Sequence, residues 1–240
     1  MIPQEVIIFS AGLLPSFIWL LFYLRKDSHP EPNYLILKVF IFGVLSGFLA
    51  IFLEKGFQKG ENFLGMNNLL LITFLVSGVI EEGVKFLAVK IGLYKTSEPD
   101  EPIDWILFMI ISALGFAALE NVLVLSNQEA ITSLGALEFM LFRFVSATFL
   151  HALCSGMIGY FWILSRCKNK KAYLWLGFFL IAGLHGFYNW SIMGVEGINK
   201  FLLPIVIIMT LSLLLSLEIK HLKKLKSVCE INNPLMKASH

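Results

Sequence analysis

Two adjacent glutamates and a lysine interrupt an apolar stretch in the first half of the chain. They are Glu81, Glu82 and Lys85. An ionisable side chain in a membrane span costs about 2.5–3.5 kcal/mol on insertion and persists where it faces a bundle interior or a water-filled cavity. Because Glu81 and Lys85 are four residues apart, they share a helix face and can pair, whereas Glu82 points about 100° away. One lysine is therefore not expected to neutralise both carboxylates, and a purely structural ion pair leaves Glu82 unexplained.

The next apolar stretch carries Glu120 and Asn121, four and five residues after Phe116. Taken alone, Glu120 has a simpler interpretation as an interfacial glutamate near the outer surface. The stretch after that carries His151 in its middle, and a single buried histidine is often a hydrogen-bonded structural residue. Arg143, two turns before His151, is expected to extend its side chain toward the outer membrane surface.

A further apolar stretch contains His185 and Asn189, which are four residues apart and so share one helix face. Two carboxylates can hold a water molecule and take its proton, and imidazole and amide N–H groups can stabilise an oxyanion. The same groups could instead bind zinc, which takes histidine nitrogen and carboxylate oxygen in a tetrahedral site with one open position. The candidate zinc ligands are Glu82, Glu120, His151 and His185.

The elements that must position these residues are membrane-spanning helices. Hydrophobic residues make up 57% of the 240-residue chain and charged residues 15%, against about 25% charged in soluble domains. The mean hydropathy is +0.77. Since a span needs about 20 mostly apolar residues, the sequence predicts an all-α transmembrane bundle of about seven spans. These are roughly 4–24, 34–54, 68–91, 103–125, 137–164, 173–193 and 201–219.

The distribution of basic residues predicts how the bundle lies in the membrane. Of the 19 Lys and Arg residues, Lys85 and Arg143 fall inside spans, and Lys55, Lys59 and Lys200 lie near one side. The rest lie near the opposite side, which the positive-inside rule makes cytoplasmic. The N-terminus is then outside and the C-terminus inside, which requires an odd number of spans.

The connectors between spans are short and polar, so the chain is expected to form a single membrane domain over residues 1–219. Two of them, 29–33 and 97–102, contain paired prolines. The polar motifs occupy a core of about residues 70–190, and residues 220–240 are expected to form a basic cytoplasmic tail.

The order and spacing of the polar motifs resemble the PrsW family of membrane-embedded peptidases. That family is related to the type II CAAX prenyl endopeptidases and to bacteriocin-processing or immunity proteins. The resemblance covers about half the chain. The matching pieces are Glu81-Glu82-x-x-Lys85, Phe116-x-x-x-Glu120-Asn121, the single His151 and His185-x-x-x-Asn189.

Two departures from the prenyl endopeptidases favour the PrsW branch. Those relatives usually carry an arginine five residues after the first glutamate and a histidine in the second motif, where Lys85 and Glu120 stand here. By resemblance, Glu82 and Lys85 orient the other groups or balance their charge. Phe116 and Asn121 are supporting residues.

The resemblance also implies catalytic roles. Glu81 would be the base that activates water, assisted by Glu120 or His151. His185 and Asn189 would stabilise the tetrahedral intermediate, although Asn189 stands where some PrsW-like proteins carry an acidic residue. We favour metal-free activation of water, with zinc as the alternative.

The implied activity is hydrolysis of a peptide bond in a membrane-anchored protein, such as an anti-sigma factor cut on its extracytoplasmic side. The implied location is the bacterial plasma membrane, with the lipid bilayer and the protein substrate as partners and no nucleic acid. Two alternatives stay open. Buried carboxylates and histidines also form the proton relays of transporters, although no related halves are visible. A non-catalytic scaffold or immunity protein could keep the same fold.

Overall fold

The computed structural model describes residues 3–25, 30–64, 68–96, 99–128 and 132–232. Within these ranges every regular element is helical, which confirms the predicted all-α fold. Parts of the predicted connectors (26–29 and 97–98) and the last eight residues of the predicted tail (233–240) lie outside the described residues.

The helices follow one another with short connections. In chain order they are α1 (Gln4–Leu24), α2 (Asn33–Leu64), α3 (Leu69–Thr73), a π-helical segment (Phe74–Ile80), α4 (Glu81–Gly92), α5 (Pro102–Ser126), α6 (Ser133–Val145), α7 (Ala147–Cys167), α8 (Ala172–Met193) and α9 (Asn199–Asn232).

Six stretches within the described ranges are helical, long and apolar enough to cross a membrane, close to the expected seven. The predicted span at 68–91 is helical from Leu69 to Gly92 but is not among the six, because it is divided into α3, the π segment and the charged α4. The predicted span at 137–164 consists of two helices, α6 and α7, which meet at Ser146 with φ −114° and ψ −97°. The orientation of the termini remains a prediction from the charges.

The centre of the bundle is α5, whose side chains are buried on nearly every face. It packs against α1, α2, α4 and α7. Close approach to α2 depends on two glycines: a Cβ on Gly43 would overlap the Ser112 carbonyl, and one on Gly115 would overlap the Phe40 carbonyl. This contact fixes the height of α5 relative to α2, and with it the position of the second polar motif.

The last helix runs past the predicted end of the membrane domain. The sequence places that end at residue 219, whereas α9 continues without interruption to Asn232. The first part of the predicted basic tail is therefore a continuation of the last helix.

Candidate active site

The π-helical segment ends directly before Glu81, so Glu81 and Glu82 are the first two residues of α4. A π turn takes one residue more than an α turn, and such segments often lie at functional sites. Since each residue of an α-helix turns the chain by about 100°, the extra residue changes the face on which both carboxylates emerge. The π segment therefore directs the two glutamates toward α7 and α8.

Two glycines hold the π segment against α8. A Cβ on Gly78 would overlap the carbonyl oxygen of Ala182, and a Cβ on Gly186 would come within 2.5 Å of the Phe74 Cα. Backbones can approach this closely only where small residues meet. The contact brings His185, the neighbour of Gly186, against the start of α4.

Lys85 is the cation at the centre of the site, and its side chain is completely buried. Its Nζ donates to Glu82 Oε1 at 2.8 Å and to His151 Nδ1 at 2.8 Å, and it lies 3.4 Å from Glu81 Oε2. It also stands 4.3 Å from the centre of the Phe116 ring. One lysine thus contacts both carboxylates, because Glu82 at i−3 is within reach as well as Glu81 at i−4. The sequence predicted that one lysine does not neutralise both glutamates; the structure shows that its single charge nevertheless contacts both.

The contacts of the two histidines define their tautomers. An ammonium group can only donate, so His151 Nδ1 accepts from Lys85, and His151 Nε2–H donates to Glu120 Oε2 at 2.9 Å. His185 Nδ1–H donates to Glu82 Oε1 at 2.8 Å, which leaves His185 Nε2 without a proton. Each imidazole is therefore held by a carboxylate through one nitrogen and presents the other nitrogen to Glu81.

Glu81 lies between the two imidazoles. Its Oε2 is 3.8 Å from His151 Nδ1 and 3.9 Å from His185 Nε2. The centres of the two rings are 5.1 Å apart at 78°. The Glu81 side chain is 12% exposed, against 4% and 1% for the histidines, and Glu120 beside His151 is 37% exposed, so the cluster opens on the side of these two glutamates.

Glu81, His151 and His185, which we call the trio, fit a catalytic metal. One ligand atom from each of Glu81, His151 and His185 lies within 4.8 Å of the others, and two histidines with one glutamate form a familiar catalytic zinc set. Zinc bonds of about 2.0–2.2 Å place tetrahedral ligands about 3.4 Å apart, against 3.8 and 3.9 Å here from Glu81 Oε2 to the two imidazole nitrogens. Lys85 must release His151 Nδ1 for that nitrogen to bind metal.

The donor set differs from the predicted zinc ligands in its carboxylate. Glu82 and Glu120 were expected to bind the ion, but here they contact the outer nitrogens of the imidazoles. Carboxylates in that position orient metal-binding histidines and raise their basicity. The structure brings Glu81 to the inner nitrogens of His151 and His185 instead.

A second group of polar residues supports Glu120. Arg143 Nη2 lies 2.9 Å from Glu120 Oε2, and Arg143 Nε donates to Asn121 Oδ1 at 2.5 Å. Asn121 Nδ2 in turn donates to Thr148 Oγ1 at 3.1 Å. The Arg143 side chain is only 13% exposed. The sequence predicted that this side chain extends toward the outer membrane surface; the structure pairs it with Glu120 and Asn121 of α5.

Ser155 was missed from the sequence although it contacts the site. Its Oγ donates to Glu82 Oε2 at 2.7 Å. It lies four residues after His151, on the same face of α7, and that spacing could have revealed it. Asn189, by contrast, is half-buried one turn beyond His185 and makes no side-chain hydrogen bond to any described residue. Its predicted role stays a prediction.

A cavity of about 90 Å³ opens onto the cluster. Glu81, Glu120 and Phe116 line one side of it, and Glu54 of α2, which the sequence did not single out, lines the other. At about 30 Å³ per water, the cavity holds about three water molecules. The two most accessible carboxylates of the site therefore share one small space that water can occupy.

A membrane bundle with this buried Glu/His group is the architecture of a membrane-embedded hydrolase, and similarity to known proteins makes the class specific. The model of the PrsW family intramembrane metalloprotease matches residues 31–215. The chain therefore belongs to the PrsW family of intramembrane proteases, as the motifs predicted. No solved structure matches it.

Several relatives named Protease PrsW cover most of the chain. The Geobacillus kaustophilus protein is 32% identical over 190 residues, which are 78% of this chain and 80% of the relative. The Bacillus subtilis protein is 29% identical over 204 residues, or 83% and 89%. The Clostridioides difficile protein is 28% identical over 191 residues, or 78% and 79%.

These similarities confirm the predicted class, a membrane peptidase, and the predicted location, since the relatives are bacterial and the chain has several membrane-spanning helices. They do not favour the transporter or the non-catalytic scaffold. Membership implies a membrane-protein substrate in a lipid environment. The description of the family as metalloproteases supports the metal alternative over the metal-free one.

Proposed function

We propose that this protein hydrolyses a peptide bond in a membrane-anchored protein at the site formed by Glu81, His151 and His185. The observation that carries the proposal is the convergence of the Glu81 carboxylate on two imidazoles, each held in place by a further carboxylate. By family resemblance, an anti-sigma factor is the proposed substrate, cut on the extracytoplasmic side.

The first task of the site is to hold water beside the scissile bond. Water in the small cavity can donate a hydrogen bond to Glu81, whose side chain is the most accessible member of the trio. The same trio would hold a divalent ion, with zinc as the proposed metal. When bound, such an ion lowers the pKa of water and polarises a carbonyl group.

The second task is to move protons at defined atoms. Glu120 lines the cavity and is fixed through Oε2 by His151 and Arg143. It is placed to exchange a proton with water or with the departing amine, because general acid–base catalysis needs a group within hydrogen-bond reach. Arg143 keeps the Glu120 carboxylate aligned. Glu82 accepts from His185 Nδ1–H and so keeps His185 in the tautomer whose Nε2 is unprotonated.

The direct test is cleavage of a single-span substrate, tagged at both ends, in liposomes. Glu81→Gln preserves size and removes the charge, so we expect at least a hundredfold loss of rate, the lower range for losing one positioned catalytic group. Glu138→Gln, on the exposed surface of α6, is the matched control and should cleave like wild type. Equal cleavage by Glu81→Gln and wild type would refute the site.

The metal is tested first by its content in the purified protein. Purified wild type should contain about one zinc per chain by elemental analysis, and a His151→Ala/His185→Ala variant that is still helical should contain none. If wild type lacks metal and cleaves fully in the presence of a chelator, Glu81 acts as the base without an ion. Zinc retained by the double variant would place the metal elsewhere.

The anti-sigma factor is tested separately in cells. Candidate anti-sigma factors with a tag on each side of their single span are co-expressed with wild type or Glu81→Gln. We expect shortening from the extracytoplasmic side with wild type alone. Cleavage of other membrane proteins but of no anti-sigma factor would keep the peptidase and overturn this substrate.

A further inference from the structure

The cavity at the catalytic cluster is too small for the substrate. It holds about three water molecules by volume, whereas a peptide extends by about 3.3–3.6 Å per residue on both sides of the bond that is cut. Part of the substrate must therefore lie in a space that joins this cavity. The neighbouring cavities can be compared to find that space.

A second cavity, which we call the entry cleft, adjoins the first. It has a volume of about 310 Å³ and is lined by residues of α2 between 51 and 58, by Ile72 of α3 and by Val76 of the π segment. Ile51 and Glu54 line both cavities. Cavities of about 410 Å³ beside α9 and about 320 Å³ between α1 and α2 share no lining residue with the catalytic cavity.

The lining of the entry cleft suits an extended peptide. Ile72 and Val76 give it an apolar wall, and Glu54 and Gln58, one helical turn apart on α2, give it hydrogen-bonding groups on the opposite wall. A peptide that is neither helix nor paired strand needs partners for its backbone groups, because none are available in lipid. Glu54 has no hydrogen-bond or ion-pair partner among the described residues, so its oxygens are free to accept from a backbone N–H.

The position of the cleft along the helices agrees with this use. Its residues lie in the last part of α2 and the first part of the α3–π–α4 run. In the orientation predicted from the charges, both parts are in the outer half of the bundle. A substrate cut on its extracytoplasmic side would meet the cleft before it meets the catalytic cluster.

We propose that the entry cleft is the substrate-binding subsite, in which the segment next to the scissile bond lies extended between α2 and the π segment, with Glu54 accepting a backbone hydrogen bond. This inference rests on the proposed peptidase activity and adds the place and conformation in which the substrate binds. Glu54 is thereby a substrate-binding residue, distinct from the trio that holds water.

Photo-crosslinking in the Glu81→Gln background, where the substrate stays uncut, tests the position. A photoreactive amino acid replaces Val76 in the cleft or, as the matched control, Ile41 of α2, which lines the cavity between α1 and α2. We expect at least tenfold more crosslinked substrate from position 76 than from position 41. Position 72 is the second site if the variant at position 76 does not fold.

The role of Glu54 is tested by steady-state cleavage in the wild-type background. Glu54→Leu should raise KM about tenfold with kcat within about twofold, because a hydrogen bond to a charged group is lost. Glu54→Gln keeps an oxygen acceptor and should recover part of that loss. A merely structural residue would instead lower the melting temperature and reduce kcat.

The outcomes separate the two proposals. If wild type cleaves but positions 76 and 72 crosslink no more than position 41, or if Glu54→Leu leaves KM unchanged, the cleft is refuted and the peptidase stands. If wild type cleaves nothing while positions 76 and 72 still crosslink, the cleft binds a membrane protein and the proposed hydrolysis is refuted. Absence of both cleavage and crosslinks refutes both proposals for that substrate.

Discussion

Replacing Lys85 by methionine should destabilise the bundle strongly. The Lys85 and Glu82 side chains are both completely buried, and their charged atoms are 2.8 Å apart. Lys85→Met keeps the length of the side chain but leaves the Glu82 carboxylate without its cation. Removing one partner of a buried ion pair costs about 3–5 kcal/mol. At about 2–4 °C per kcal/mol for a chain of this size, the melting temperature should fall by about 6–20 °C.

The measurement is thermal unfolding in detergent, followed by circular dichroism. Lys90→Met removes a lysine from the exposed face of the same helix and should stay within about 0.5 kcal/mol of wild type. Glu82→Gln/Lys85→Met removes both charges. Its amide oxygen can still accept from His185, and its amide nitrogen can donate to the Ser155 hydroxyl, so the double variant should recover much of the lost stability.

Two results would contradict this reasoning. If Lys85→Met melts like Lys90→Met, the ammonium does not compensate the buried carboxylates. If the effects of Glu82→Gln and Lys85→Met simply add in the double variant, the two side chains are not coupled, because residues in direct contact should show a coupling energy of about 0.5–3 kcal/mol.

The same unfolding assay tests two further predictions. Ser155→Ala removes the 2.7 Å hydrogen bond to the Glu82 carboxylate and should cost about 1.5–3 kcal/mol; an unchanged melting temperature would show that this bond is not formed. Gly78→Ala places a Cβ against the Ala182 carbonyl and should cost at least about 1–3 kcal/mol. Gly56→Ala, at an exposed helical position of α2 with no atom within 4 Å, should be neutral or stabilising by up to about 1 kcal/mol. Equal effects of the two glycine substitutions would refute the close contact between the π segment and α8.

The fold was largely predictable because hydropathy reports how much of a stretch can sit in lipid. The prediction failed where the register of a helix matters more than its composition. The segment Phe74–Ile80 is as apolar as an α-helical span, and nothing in its composition marks the π turn. Ser146 is one of several polar residues in a long and mostly apolar stretch, and nothing in its type marks a break, so α6 and α7 were predicted as one continuous span.

The site was predictable to the extent that charge in an apolar stretch is costly. Glu81, His151 and His185 were found for this reason, and the structure brings them together. Pairing across helices was not predictable from one sequence. Nothing in the spacing shows that Arg143 turns inward to Glu120. Glu54 lies near the end of its predicted span, where a glutamate is unremarkable until the cavity beside it is known.

The π segment constrains how this site could be built into another helical bundle, because it sets the helix face on which Glu81 and Glu82 emerge. A designed scaffold of regular α-helices can copy every side chain of α4, α7 and α8 and still aim both glutamates about 100° away from the histidines. Inserting one apolar residue into Phe74–Ile80 would likewise turn both glutamates to another face in the natural chain, while leaving its hydropathy almost unchanged. The number of residues in this segment is thus part of what defines the active site.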